Sequence, residues 1–336
     1  MMVRSGMRFV QPLTALLAAI AIAGPAAHAQ DAAEAREEFI ARMVAEHGFG
    51  RSELDALFAG VGINDGVLQA ISKPAERVLA WHEYRDIFVT DARVSSGMEF
   101  WSQYADEIHV AAEQHGVAPE IIVAIVGIET WFGTRMGRYR VLESLSTLAF
   151  AYPPRARFFA NELESFLLLT REEGIDPTGV LGSYAGAMGI PQFIPSSYRA
   201  YAVDFDGDGQ RDLIGSVADA IGSVAAYLSR HGWVRDGAVA VPATVSGDAA
   251  GALAAKGLEP QTSIAAFARA GVEPTVRVAG DADAALVELE GAQGLEYWLG
   301  FRNFYVVTRY NRSPLYAMAV HQLADAIEAR TRGAAR

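Results

Sequence analysis

Glu129 is the residue whose surroundings point most directly to chemistry. It closes an apolar run, Ile121-Ile122-Val123-Ala124-Ile125-Val126-Gly127-Ile128, and Trp131-Phe132-Gly133 follow it. An ionised, unpaired carboxylate in such a setting is costly. Desolvation is expected to raise its pKa, and the negative end of its own helix opposes ionisation further. A carboxylic acid kept protonated near neutral pH is what general-acid cleavage of a glycosidic bond requires. The competing reading is structural, a buried glutamate paired with Arg135 or Arg138. Position alone supports the two equally. Glycosidases commonly use two carboxylates. Glu143, Glu162 and Glu164 are the candidates for a second, and each has an ordinary explanation on a solvated helix face. A mechanism with one carboxylate, in which the substrate supplies the nucleophile, therefore stays open.

Other segments carry further signals. Residues 182–193, GSYAGAMGIPQF, combine glycines with Ser183 and Gln192 as hydrogen-bonding groups and Tyr184, Met188 and Phe193 as apolar faces. That mixture suits a sugar groove, since glycine lets backbone approach a ligand closely. The alternative, which the residues alone favour, is a structural loop that turns its aromatics inward. Residues 204–212, DFDGDGQRD, place oxygen side chains at loop positions one, three, five and nine, with Gly209 at six and the Gln210 carbonyl at seven. This is the calcium-loop pattern of the EF-hand. Gly215 stands at position twelve, where a bidentate glutamate is expected, and Asp219 lies close enough to replace it. The alternative is a solvated Asp/Gly turn. Tyr152, Arg155 and Arg157 form a basic-aromatic cluster suited to a ligand carboxylate, or to helix-surface salt bridges.

The elements that position these groups read as mainly helical. Stripes at helical spacing are expected over 31–60, punctuated by Gly48, and over 91–113, with Phe100, Tyr104 and Ile108 on one face. Pro119 suits the first turn of the apolar helix that ends near Thr130. Two more stripes in 141–170 are split by Tyr152-Pro153-Pro154, and 217–230 forms a helix closed by Gly232. Strand-like alternation then marks 238–245, 275–279 and 285–290, with helical patches near 249–256 and 262–270. A small α+β insertion over roughly 237–300 is expected. Residues 304–308 read as a last strand, and 315–331 as a closing helix.

Composition bounds the rest. Half of the 336 residues are apolar and a fifth charged, which excludes a disordered or fibrous chain. Basic residues number 28 against 40 acidic, a formal charge of −12, so an electrostatic grip on nucleic acid is not expected. Cysteine is absent, which excludes a disulfide scaffold, a thiol nucleophile and a lipid anchor on cysteine. Arg4 and Arg8, the apolar run 13–23 and Ala27-His28-Ala29 read as a secretory signal peptide cleaved near Ala29. The run falls short of the ~20 residues a spanning helix needs.

Taken together, the stretches IVGIETWFG, AYPPRARFF, GSYAGAMGIPQFIPSSYRAYAVDFDGDG, DAIGSVAAYLSRHGW and NFYVVTRYNRSPLYAMAV resemble the lytic murein transglycosylase B family, glycoside hydrolase family 103, in sequence, order and spacing. The resemblance runs from about Phe39 to the C-terminus. After the signal peptide over 1–29 read above, it implies an N-terminal helical domain over 30–115 and a lysozyme-like core with the EF-hand-like loop over 116–236. A small α+β domain over 237–300 and a strand and helix over 301–336 would complete the chain. It implies cleavage of the β-1,4 bond between N-acetylmuramic acid and N-acetylglucosamine in peptidoglycan glycan strands, without water, leaving 1,6-anhydromuramyl ends. Glu129 would be the single acid/base. Ser183, Met188, Gln192, Tyr227, Tyr310, Asn311 and Tyr316 would line the sugar subsites, and Arg155 would meet the peptide stem. Structural calcium would sit at Asp204, Asp206, Asp208, the Gln210 carbonyl and Asp219. Pro154 stands where some relatives carry a second arginine. A periplasmic enzyme without a membrane anchor is the expectation. A hydrolytic muramidase using a second carboxylate, and a non-catalytic peptidoglycan-binding protein, are the alternatives.

Overall fold

The computed structural model describes residues 25–72 and 79–334; most of the expected signal segment, 1–24, lies outside these residues. The chain opens with α1 (Pro25–His47), α2 (Arg51–Ala59), α3 (Asp65–Ser72), α4 (Trp81–Phe88), α5 (Asp91–Gln103) and α6 (Ala105–His115). Then come α7 (Pro119–Thr130), β1 (Tyr139–Arg140), α8 (Val141–Ala151), α9 (Ala156–Glu173) and β2 (Leu181–Gly182), followed by α10 (Pro195–Tyr201) and α11 (Val217–Arg230). The sheet region holds β3 (Ala240–Val245), α12 (Ala250–Ala254), β4 (Thr262–Ser263), α13 (Ile264–Arg269), β5 (Val272–Pro274), β6 (Asp283–Gly291) and β7 (Gly294–Gly300). Helices α14 (Arg302–Tyr310) and α15 (Pro314–Ala334) close the chain. No single helix among the described residues is long and apolar enough to cross a membrane.

Helix α7 is the axis of the core. Every side chain from Ile121 to Ile128 is buried, as a helix apolar all round requires. Four helices, α5, α6, α11 and α15, pack around it. The α8–α9 hairpin stands beside this bundle, with α1 laid across α8. The five-stranded sheet has the order β4-β6-β7-β3-β5 and is antiparallel throughout. Strand β6 is buried on both faces over Ala284 to Val287, and Glu288 and Glu290 are exposed beyond them. Leu286 joins Ile264, Phe267 and Leu299 in a small core of the sheet's own, while Val287 and Leu289 face the main core.

Three sequence expectations are corrected. The 91–113 stripe is two helices, because the backbone leaves helical geometry at Tyr104 (φ −117°, ψ 35°) while its ring still packs on Phe100. The apolar stripe runs on through the break, so periodicity does not mark it. Residues 275–279 are not a strand; the paired segment is Val272–Pro274, and only Thr275 adds one further bond, to the Pro242 carbonyl. Residues 304–308 are helical, within α14, so the last segment of the chain is two helices rather than a strand and a helix. The run Phe304-Tyr305-Val306-Val307-Thr308 has strand-like composition, but Asn303, Phe304, Val306 and Val307 fall on one buried helical face. The side chain of Asn303 fixes this helix in place: its Oδ1 accepts from Val234 N–H (2.8 Å) and its Nδ2 donates to the Gly237 carbonyl (2.7 Å).

Phe132 shows how tightly the end of α7 is specified. Its ring lies in a slot made by Gly97 and Gly127, where a Cβ on Gly127 would stand 2.6 Å from the Phe132 Cζ. Gly127→Ala is therefore expected to lower stability by about 1–3 kcal/mol despite alanine's better helix propensity. Denaturant unfolding checks this, and an unchanged or raised midpoint would contradict the packing argument.

Candidate active site

The end of α7 is strained in a way that aims Glu129. Trp131, Phe132 and Gly133 all have positive φ (50°, 57° and 84°). Two adjacent non-glycine residues in this region cost energy and persist only where the surroundings over-determine them. The surroundings are explicit. Phe132 N–H donates to the Val126 carbonyl and Trp131 N–H to that of Gly127. The buried Thr130 hydroxyl donates to the Ile190 carbonyl (2.8 Å) and accepts from Gly133 N–H (2.9 Å), tying the turn to the 182–193 loop. Two guanidinium groups rest on the Trp131 ring, Arg93 at 4.3 Å and Arg135 at 4.6 Å from its centre. Arg93 is buried, and that burial, with repulsion from Arg135, lowers its pKa to about 10.

Glu129 itself is half-buried. Its Oε1 accepts a hydrogen bond from the hydroxyl of Tyr316, at 2.6 Å, across the α7–α15 contact. Burial first, and the charge of Glu129 second, push the Tyr316 hydroxyl well above its ordinary pKa, so it remains a donor at every working pH. Tyr310 lies parallel to Tyr316, with ring centres 6.4 Å apart and planes 11° apart. The Tyr310 hydroxyl donates to the Pro191 carbonyl (2.6 Å), and that of Tyr227 to the Arg309 carbonyl (2.6 Å). Phe193 touches both rings, at 5.5 and 5.7 Å. A continuous aromatic wall thus runs from Glu129 through Tyr316, Tyr310 and Phe193 to Tyr227.

Of the expected site residues, Glu129, Tyr316, Tyr310 and Tyr227 are brought together along this wall. Gln192, at φ 51°, donates through Nε2 to the Met136 and Gly189 carbonyls, both at 3.0 Å, and so fastens the loop beside α7. Ser183 Oγ accepts from the N–H groups of Ala185 and Ala187 inside its own loop. Met188 is buried, bridged to Phe193 by backbone pairing. The glycines of this loop approach the protein's own atoms: a Cβ on Gly182 would meet the Ala187 carbonyl at 2.2 Å, and one on Gly189 that of Leu213 at 2.5 Å. Asn311 sits in the α14–α15 turn, its Oδ1 accepting from Ser313 N–H. Arg155 lies apart, exposed before α9, over the rings of Phe158 and Phe159. Sequence reasoning passed over Arg93. It stands 36 residues before Glu129 on another helix, and nothing local links the two.

The carboxylates considered as second catalytic groups have other partners. Glu162 is buried and accepts from Ser196 N–H (2.9 Å) and Oγ (2.7 Å); burial raises its pKa. Glu164 pairs with Arg42 and His47. Glu143 occupies the first turn of α8. Arg135 and Arg138, the sequence candidates for pairing with Glu129, lie over the rings of Trp131 and Tyr139.

In the aspartate loop, Asp204, Asp206 and Asp219 bring ligand atoms within 4.8 Å of one another. Asp219 is fully buried; its Oδ1 accepts from Phe205 N–H and its Oδ2 from Asp212 N–H, both at 2.7 Å. Burial, then the like charge of Asp206, raise its pKa. Gly215 cannot supply the twelfth-position ligand: a Cβ there would stand 2.5 Å from Asp212 Oδ2. Asp208 is exposed, its Oδ1 accepting from Gln210 N–H, and it falls outside the close trio.

Known proteins are similar to this chain. The transglycosylase SLT domain family matches over residues 31–325. Membrane-bound lytic murein transglycosylase B of Escherichia coli (strain K12) is 45% identical over 300 residues, covering 87% of this chain and 82% of that protein. The crystal structure of soluble lytic transglycosylase SltB1 from Pseudomonas aeruginosa superposes with a TM-score of 0.83 at 48% identity, covering 89% of this chain and 99% of that one. Escherichia coli lytic transglycosylase Slt35 in complex with calcium gives a TM-score of 0.80 at 43% identity, covering 88% and 93%. The chain therefore belongs to the transglycosylase SLT domain family, and its activity is that of a peptidoglycan lytic transglycosylase.

Proposed function

We propose that Glu129 alone carries both proton transfers in cleaving the bond between N-acetylmuramic acid C1 and the O4 of N-acetylglucosamine. The observation that carries this reading is the Tyr316–Glu129 hydrogen bond at the end of a buried helix, with Glu162 and Glu164 committed to other partners. Oε1 accepts from the Tyr316 hydroxyl, and the Glu129 carboxyl carries the proton to be transferred. Glu129 gives that proton to the glycosidic oxygen as the C1–O4 bond breaks. The substrate's N-acetyl oxygen stabilises the positive charge developing at C1, in the place of a second carboxylate. The carboxylate then takes the proton of the muramic C6 hydroxyl while O6 bonds to C1. The 1,6-anhydro ring closes, Glu129 is again protonated, and no water is consumed.

Tyr316 positions the carboxyl and remains a donor in both of its protonation states. Tyr310 and Tyr227 offer ring faces to the sugars, and Gln192, Ser183, Met188 and Asn311 shape the subsites around them. Arg155 is one group suited to a charge of the peptide stem. The acidic loop suits calcium as a structural ion, held by Asp204, Asp206 and Asp219 with help from Asp208 and the Gln210 carbonyl. Three converging carboxylates, the buried Asp219 among them, favour a divalent cation, and calcium is the ion bound to Slt35. The ion would brace the segment that leads from α10 into α11, on which Tyr227 stands. The amino-terminal segment suits export to the periplasm, where peptidoglycan strands are met without a membrane anchor.

Glu129→Gln is expected to abolish strand cleavage while the melting temperature stays near that of the wild type; retained turnover would remove the assignment. Tyr316→Phe is expected to lower kcat about tenfold or more with KM little changed, since one charge-assisted hydrogen bond to the reacting group is lost. A purely structural tyrosine would instead lower stability and leave kcat intact. Calcium is expected to raise the melting temperature and chelation to lower it, and Asp219→Asn is expected to remove that response. A calcium response that survives Asp219→Asn would place the ion elsewhere.

A further inference from the structure

Beyond Tyr227 the aromatic wall turns into a polar hollow of about 430 Å³, lined chiefly by Ser197, Tyr201, Tyr227, His231, Arg309 and Arg312. Its floor is rigid. The His231 ring stacks on Tyr227 at 4.1 Å with planes 27° apart, and Tyr201 packs on both, at 4.8 and 4.9 Å. His231 Nδ1 donates to the Tyr227 carbonyl at 2.7 Å, which leaves Nε2 turned toward the Tyr201 hydroxyl at 3.5 Å.

The two arginines are unlike their neighbours. Arg199 on α10 and Arg211 on the following loop are taken up by Glu172 and Glu173. Among the described residues no carboxylate pairs with Arg309 or Arg312, in a chain of formal charge −12. Arg309 rests on the Tyr305 ring at 4.1 Å and spends Nη2 on the Thr308 hydroxyl, while its Nε is enclosed without a hydrogen-bond partner. Both arginines line the same hollow as Tyr227. Ser196, which also lines the hollow, donates to both oxygens of the Glu162 carboxylate. Two cations held together around one hollow repel unless an anion lies between them.

We propose that this hollow is a carboxylate-binding subsite, in which Arg309 and Arg312 take an acidic group of the peptide stem carried by the glycan strand. The inference rests on the peptidoglycan reading given above and adds to it where the peptide's charge is met. Guanidinium groups suit carboxylates through paired N–H donors. The hollow shares Tyr227 with the wall, and Tyr227 lies 4.9 Å from Tyr310, so sugar faces and peptide charge would be read on adjoining surfaces.

Binding to the intact wild-type chain tests this without turnover. The probes are the N-acetylglucosaminyl-anhydromuramyl disaccharide with its tetrapeptide and the same disaccharide without it. Arg312→Ala and Arg309→Gln are each expected to weaken binding of the peptide-bearing probe about tenfold, as for loss of a charge-assisted hydrogen bond, and to leave the peptide-free Kd unmoved. Arg312→Lys is expected to recover part of the loss, and Arg277→Ala, far along the chain on an exposed segment, to change neither Kd. Equal weakening for both probes would overturn the proposal and assign the arginines to the sugar groove or the fold. No weakening for either would overturn it outright. Because no bond is cleaved, a failure here is distinct from a failure of the Glu129 assignment, which is read in turnover.

Discussion

A carboxyl group at the end of a wholly buried helix needs a partner, and in this protein the partner comes from the far end of the chain. Tyr316 and Glu129 are 187 residues apart and meet at 2.6 Å. That contact requires α15 to lie along α7, and it is reached only after the chain has traversed the sheet region and returned through α14. It also requires the turn after Glu129 to be fixed, which explains the strained run at Trp131 and Phe132. Burial of Phe132 against Gly97 and Gly127, the Thr130 bonds and the Arg93–Trp131–Arg135 contacts together hold a backbone that would otherwise relax. Strain of this kind persists where surrounding packing outweighs it.

The same constraint organises the loop that faces the site. Gly182 and Gly189 pack against backbone carbonyls of the protein itself and Gly186 against the Leu145 side chain, so the loop is a rigid wall built to hold Gln192 and Phe193. The Tyr310 hydroxyl fastens that wall at Pro191 to the end of α14. The sheet region has a separate small core, yet Val287 and Leu289 of β6 bind it to the main one, and this fixes where α14 begins. The acidic loop is fixed in turn by Phe205, which packs where Gly222 of α11 has no side chain; a Cβ there would meet the ring at 2.4 Å.

Much of this was legible in the sequence. The apolar helix, its proline start and the glutamate at its end are written in consecutive residues. So is the aspartate spacing, and the structure brings Asp219 within 4.8 Å of Asp204 and Asp206. Long-range partners were not legible from local pattern. No period or motif connects Arg93 with Trp131, and the role of Tyr316 entered only through family resemblance. The strand expected at 304–308 failed because β-branched and aromatic residues can also form one buried face of a helix, and tertiary packing decided between the two. The break at Tyr104 failed for a related reason, since the hydrophobic stripe is continuous across it. The glycines of the 182–193 loop were open to two readings, and the positions of neighbouring atoms favour the structural one.

The central claim is that one carboxyl group does the work of two because the substrate supplies its own nucleophile. The mass of the products tests this most directly. Intact sacculi are digested with the wild-type protein, and the released muropeptides are separated, weighed and treated with borohydride. Products about 18 Da lighter than hydrolytic ones and resistant to reduction are the predicted result, because the C6 hydroxyl has closed on C1 with Glu129 as the only base. Reducible products carrying the added water would contradict the account and require a second carboxylate to activate that water.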